Sequence, residues 1–387
     1  MHTGAHKGTL ENAMLKTSPF PARLLGGALG VVVGLSAAAA WAAAPEQQAG
    51  GPDFKAEFLQ LCDVAAEELN QEPRLPPRHK AFYADSYAVR ALAVGYDVTG
   101  NKKYLDACKA WSDRMLDFQR RMTPAGAYYM NYGRKPGQDR GGWYVADSSS
   151  IAMGVLATAV RCTEKAEKER YLDSVKSFAR LVIENYVGPN GGITDGLWEQ
   201  YDGEWWCSSG IFGSLAFLVY KETGDEAYLK VALGALDWLN RLDFQKAEHI
   251  SFEDAAPAVV MYVFEAHSAS MPYLEEGTDR RKATAAQIGR AAEWMSKNQK
   301  GSHAQAAWDY NSQWGSKLGG MPFHMYVYSR HMPEFRGLRP AADRELAHLS
   351  SFLFAGGKPK LSQLAVFSMM SYAEKVSPGA IYRASTP

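Results

Sequence analysis

The amino-acid sequence predicts an all-α fold in which helical hairpins close into a ring, an (α/α)6 toroid. Three observations carry this. Apolar residues recur at three- and four-residue spacing nearly everywhere after Asp53, while alternating strand patterns and Asn-Gly hairpin turns are almost absent. A corner motif repeats, as Thr99-Gly100-Asn101-Lys102-Lys103-Tyr104-Leu105 and Thr223-Gly224-Asp225-Glu226-Ala227-Tyr228-Leu229, with Glu167-Lys168-Glu169-Arg170-Tyr171-Leu172 as a weaker copy lacking the Thr-Gly start. Helical segments also alternate between apolar on all sides, as from Ile151 to Val160 and Ile211 to Tyr220, and charged on one face, which marks inner and outer positions.

Residues 1–42 stand outside the predicted domain. Lys16 and Arg23 precede an apolar run from Leu24 to Ala40, and Ala40-Trp41-Ala42 supplies the small residues of a signal-peptidase site. Met14 starts a more ordinary basic region than Met1, which leaves residues 1–13 as an N-terminal extension. The Gly, Ala and Val run is short and weakly apolar for a membrane span, so no stable anchor is expected. Residues 43–52 read as a linker and 53–387 as a single toroid domain, periplasmic or secreted.

Within that domain, helices are expected at about 53–70, 84–98, 101–121, 147–162, 167–186, 207–222, 225–242, 253–268, 279–298, 318–331, 340–351 and 361–375. Gly100 and Gly224 follow the last periodic residue of one helix, where a left-handed cap is needed, and Asn101 and Asp225 can cap the next. Spacings of 67 and 57 residues between Tyr104, Tyr171 and Tyr228 indicate hairpins too small to bury their apolar faces alone, so neighbours complete the core. Pairing the first helix with the last closes six inner and six outer helices into the ring.

The balance of 42 Lys and Arg against 42 Asp and Glu excludes a global field for nucleic acid or an anionic membrane. Four cysteines do not form a disulfide framework; Cys62, Cys108 and Cys162 read as small core residues. No His-x-x-x-His, Cys-x-x-Cys, calcium loop, phosphate-cradling Gly loop or nucleophile elbow occurs, so neither metal nor cofactor is expected.

Chemistry is expected in the long connections at about 122–146, 187–206 and 299–317, which all reach one face of the ring, over the N-termini of inner helices. They concentrate Trp143, Trp198, Trp205, Trp206, Trp308 and Trp314. Trp and Tyr beside Asn, Asp and Arg suit sugars, whose C–H faces stack on rings while hydroxyls meet polar edges. The substrate-binding set is therefore Tyr132, Trp143, Asp147, Asp195, Trp198, Glu199, Trp205, Trp206, Trp314 and His324, acting on a poly- or oligosaccharide. Asp147 serves equally as a helix cap.

Two chemistries fit these loops. Asp195, Glu199 and Asp202, with Asp147, Asp254 or Asp309, offer the paired carboxylates of glycoside hydrolysis. β-Elimination of a uronate instead requires neutralising a carboxylate, removing a proton and protonating the leaving oxygen. His249, Tyr310, Arg140 and Asn131 form that set, with His324 competing as base.

The Thr-Gly-x-x-x-Tyr-Leu corners and the inner/outer rhythm across nearly the whole mature chain resemble the six-hairpin toroids of glycoside hydrolases and polysaccharide lyases. The paired-Asp element of unsaturated glucuronyl hydrolases and the Asn-Asn-His element of toroidal alginate lyases are not recognisable, so no catalytic residue carries over. The resemblance implies an exported carbohydrate-active enzyme. Uronate β-elimination is the leading reading, with glycoside hydrolysis as the alternative and a non-catalytic glycan-binding protein as the reading of another class.

Overall fold

The structure, a computed structural model, describes residues 51–71, 81–131, 142–194, 203–242, 252–297, 310 and 315–385, with only the backbone of 252–260 and 291–297. Among these are twelve α-helices: α1 (Phe54–Glu68), α2 (Phe82–Thr99), α3 (Lys102–Gln119), α4 (Val145–Ala159), α5 (Lys165–Asn185), α6 (Trp206–Thr223), α7 (Glu226–Arg241), α8 (Phe252–Ser270), α9 (Asp279–Lys297), α10 (Met321–His331), α11 (Leu338–Leu353) and α12 (Gln363–Val376). None is long and apolar enough to cross a membrane.

The even-numbered helices form the inner wall. Each packs on the next, α2 on α4, α4 on α6, α6 on α8, α8 on α10 and α10 on α12, and α12 returns to α2, so the ring is closed. Side chains explain the layering. In α2, α4 and α6 almost every residue of the first three turns is buried, whereas α3, α5 and α7 bury one stripe and leave charge outside. Alternation of direction within the hairpins then puts all inner N-termini at one end, the mouth, and all inner C-termini at the other.

The closing pair is α1 with α12, as the sequence suggests. The Tyr372 hydroxyl donates to Glu57 at 2.9 Å, the Phe54 and Tyr372 rings meet edge-on at 6.1 Å, and Ser350 of α11 donates to the same Glu57 at 2.6 Å.

The repeated corner is visible atom by atom. Gly100 and Gly224 take φ of 68° and 71°, and each donates its N–H at 2.7 Å to a carbonyl four residues back, of Tyr96 and Tyr220. Thr99 and Thr223 bond back to Gly95 and Val219, and Asn101 and Asp225 accept from the N–H groups of Lys103 and Ala227. The weaker third corner has neither device: Val160 stays right-handed and Glu164 caps nothing.

One inner helix departs from the expected 318–331. Residues Gly315–Gly320 form a 3-10 turn, and the α-helix starts at Met321 with Pro322 in its first turn. Packing is the reason. A side chain at Gly319 would lie 2.8 Å from the Ser368 backbone nitrogen, and one at Gly320 only 1.9 Å from Met261 Sδ, so bare backbone is wedged between α8 and α12. All four cysteines are buried and free.

The far end of the ring is stoppered by the C-terminal segment. Its 3-10 turn Ala380–Tyr382 inserts the Tyr382 ring, while Arg161 and Lys221 donate to the carbonyls of Ala380 and Tyr382. Asp97 receives Arg161 at 2.6 Å and Arg383 at 2.9 Å.

Candidate active site

At the mouth the loops are anchored by the first turns of the inner helices. Met130 accepts the N–H of Phe82 at the start of α2 and donates to Gly142, Ser148 of α4 bonds the Tyr128 carbonyl, and Ser209 of α6 accepts from the Ile193 N–H. The second loop closes on itself through Glu204, whose carboxylate accepts from the N–H groups of Asn190 and Gly192 and from the Asn190 amide. That carboxylate is spent on structure.

Below the loops, the axis of the ring gathers a chemically distinct group. Asp147 sits in the first turn of α4, three residues after the N-cap residue Tyr144. It acts electrostatically on Tyr262 of α8 and on Lys317, the buried cation of the 3-10 turn before α10. The Lys317 ammonium lies 5.7 Å from the ring centres of both Tyr262 and Phe367, and Tyr83 meets Tyr262 edge-on at 6.5 Å.

Burial lowers the Lys317 ammonium to about 8, against the opposing pull of Cys207 and Asp147. Burial likewise drives the Tyr262 phenol well up, with Tyr83, Tyr87, Cys207 and Asp147 adding to it. The Tyr262 ring and the acid thus act on a fully buried cation, where charge and hydrogen bonding are strong. A second acid, Asp85, is fully buried in the first turn of the neighbouring inner helix α2.

Deeper on the axis lies a buried ion pair, Arg90 of α2 with Glu265 of α8, both about 1% exposed. The Tyr87 hydroxyl adds a bond to Glu265 at 3.2 Å, and the Arg90 guanidinium stacks over the Tyr87 and Tyr382 rings. Burial raises the Glu265 carboxyl above its ordinary value despite Arg90. The pair links the mouth to the stopper.

Of the residues singled out from sequence, His249, Arg140, Tyr132, Asp195, Trp198, Glu199 and Trp314 lie outside the described residues. Asn131 is described and takes φ of 66°, a left-handed conformation that Asn tolerates, at the turn of the first loop. Tyr310 is half-buried against His348 and Phe352 of α11, an outer helix, so its described ring contacts are on the rim rather than the axis.

Two expectations for aromatic platforms are corrected by burial. Trp143 is fully buried and meets Tyr186 edge-on at 5.4 Å, and Trp206 is nearly buried with its ring against Trp205 at 5.6 Å. These rings hold the loop bases to the wall, leaving no free face for a sugar. Trp205, the N-cap residue of α6, is the more open of its pair.

His324 is corrected as well. It lies inside the wall, 2% exposed, with Nδ1 at 2.8 Å from Ser268 Oγ and its ring stacked on Tyr328. Burial, with Arg90 and His267, depresses it to about 3, so it is neutral and a poor proton acceptor.

Lys317, Tyr83, Tyr262, Asp85 and the Arg90–Glu265 pair escaped sequence reasoning. The signal for the ion pair was present: Ala88-Val89-Arg90-Ala91-Leu92 and Val263-Phe264-Glu265-Ala266 each place one charge in a helix apolar on every side. Among the described residues, no three His, Cys, Asp or Glu side chains converge to hold an ion.

A closed ring of six helical hairpins, with acid, amine and phenols at the inner N-termini, belongs with the (α/α)6 toroids of glycoside hydrolases and polysaccharide lyases. The model of glycosyl hydrolase family 76 matches residues 66–262, and the chain belongs to that family. It is an enzyme of carbohydrates.

Solved structures agree on the fold. An α-1,6-mannanase of family 76 from Salegentibacter sp. HEL1_6 aligns with a TM-score of 0.60 at 13% identity, over 84% of this chain and 99% of that one. A family 76 α-mannanase from Bacteroides thetaiotaomicron gives 0.54 at 11%, over 84% and 96%. The unsaturated glucuronyl hydrolase from Streptococcus agalactiae gives 0.57 at 10%, over 85% and 93%. No protein among the curated ones matches the sequence.

Proposed function

We propose that the protein is an exported glycoside hydrolase that cleaves α-mannosidic linkages in a polysaccharide. Family membership favours hydrolysis over the elimination expected from sequence, and the two mannanases suggest the sugar. The residue on which the chemistry is placed is Asp147, a carboxylate in the first turn of an inner helix, close enough to Lys317 and Tyr262 to act on both electrostatically. In this reading Asp147 works on the scissile bond as one of the two carboxylates that glycoside hydrolysis requires. Lys317 holds a substrate oxygen, and the tyrosines line the sugar.

Export follows from the apolar run at 24–40 and the small residues at 40–42. Secretion of the full chain should yield a product whose N-terminal residue lies near 43; retention of residues 1–42 on the released protein would remove this part of the proposal.

The reaction is tested by incubating the protein with α-1,6-mannan, other neutral glycans and uronate polymers while following reducing ends and ultraviolet absorbance. Reducing ends from mannan without new absorbance support the proposal. New absorbance from a uronate polymer means elimination, for which Lys317 supplies a cation able to meet a carboxylate. Binding with neither product means a glycan-binding protein.

A further inference from the structure

We propose a second ligand site at the stoppered end of the ring: a cationic pocket that binds a tetrahedral oxyanion, phosphate or sulfate, free or esterified to a sugar. The pocket has a volume of about 470 Å³ and is formed where the last turns of α10 and α12 meet the start of α11. Arg330, Arg336, Arg339 and Lys375 line it, with Tyr326 and Glu374. It faces away from the mouth, because α10 and α12 contribute only their C-terminal turns.

The acids around this pocket are already engaged. Glu374 is fully buried; its carboxylate takes Arg330 on one oxygen and the Gly379 N–H, at 3.0 Å, on the other. Asp343 accepts the Tyr326 hydroxyl at 2.7 Å and the Lys375 ammonium at 2.5 Å. Glu334, two residues before Arg336, reaches toward Arg281 instead.

Arg336 and Arg339 are left without a carboxylate among the described residues. This sets them apart from Arg161, Arg170, Arg280 and Arg383, each of which holds an aspartate. Four cations against Glu374 and Asp343 leave the pocket two charges positive. Two guanidinium forks on one lip match the oxygens of a phosphate or sulfate better than point charges do. A separate feature adds to this field: α11 starts here at Leu338, and its N-cap residue Gly337 offers no side chain to the first-turn N–H groups.

The test is calorimetric titration of the intact protein at constant ionic strength, replacing chloride with inorganic phosphate, inorganic sulfate or mannose 6-phosphate. Saturable binding is expected for the wild type, weakened about tenfold or more in Arg336→Glu/Arg339→Glu, since charge-assisted bonds are lost. Glycan turnover in that variant should stay within about twofold of wild type, because the pocket is remote from the mouth. Tighter binding of the sugar phosphate than of the free ions would identify an esterified ligand, and equal binding a free ion. Heats indistinguishable from chloride, or equal affinity in the variant, would overturn the site. Both arginines are exposed, and the single changes Arg336→Ala and Arg339→Ala supply the same comparison should the double variant fold poorly.

Discussion

The two ends of the ring are built from the same twelve helices and differ in almost everything else. At the stoppered end, corners are short, glycine takes the one conformation that others resist, and charges pair: Arg161 and Arg383 with Asp97, Lys168 with Glu222. At the mouth, connections are long, and the axis below them holds the acid Asp147 and the fully buried amine Lys317 among aromatic rings. Buried functional groups of this kind cost stability that the remainder of the core must supply.

The largest effect should come from the mouth. Asp147→Asn keeps the shape of the side chain and removes its acid, so turnover of the cleaved glycan should fall about 10²- to 10⁴-fold while circular dichroism and the melting temperature stay near wild type. Activity within a few-fold of wild type would take Asp147 out of the chemistry and leave the acids of the second loop as candidates. The same comparison at the other end, Asp97→Asn, should lower the melting temperature and spare the rate.

The ion pair between the two ends comes next. Arg90→Met leaves Glu265 without its cation in a site about 1% exposed, which should destabilise the fold by about 3–5 kcal/mol in urea unfolding. Replacing both, as Arg90→Met/Glu265→Leu, should cost less than the single change, because no lone charge remains. If the double variant is the worse of the two, the pair is held by its surroundings, through Tyr87 and Tyr382, rather than by mutual charge.

These regions were unequally legible in the sequence. Helix number, the inner and outer alternation, the corners at Thr99 and Thr223 and the α1–α12 closure could be read because each is a local or periodic pattern with one physical solution. Burial of Trp143 and Trp206 could not, since a tryptophan in a loop looks the same whether it faces sugar or wall. Lys317 lay hidden for another reason: with Gly315 and Ser316 it read as the end of a loop before a helix at 318, and only the approach of α8 and α12 buries it. Asp147 was picked out, but its nearness to Lys317 and Tyr262 needed the placement of α8 and the 3-10 turn near α4.

A pH experiment separates wall from mouth. His324, depressed to about 3 by burial, Arg90 and His267, binds its proton less readily folded than unfolded, where its value is about 6.5. Its contribution to stability is complete above pH 6.5 and is lost as pH falls through 6 toward 3. His324→Gln should therefore flatten the acid limb of stability against pH by up to about 1.4 kcal/mol per pH unit in that window, with no change above pH 7. An unchanged limb would mean that His324 gains its proton as easily in the fold as out of it, and so that it faces water at the mouth.

The smallest effect tests the corner itself. A side chain at Gly224 or Gly100 would meet nothing within 4 Å, so substitution there brings no clash and changes only the preference for positive φ. Gly224→Ala and Gly100→Ala should each cost about 1 kcal/mol, and nearly the same amount, because the two corners share their bonds from Thr, Gly and the Asn or Asp cap. Gly210 provides the contrast within the wall: a Cβ there would stand 2.1 Å from the Tyr262 carbonyl oxygen, forcing α6 away from α8. Gly210→Ala should then shift the Tyr262 side of the axis and reduce turnover as well as stability, whereas the corner variants should leave turnover unchanged. Equal catalytic loss at Gly224 would show that the stoppered end is mechanically coupled to the mouth, and that the separation of the two ends holds for charge but not for motion.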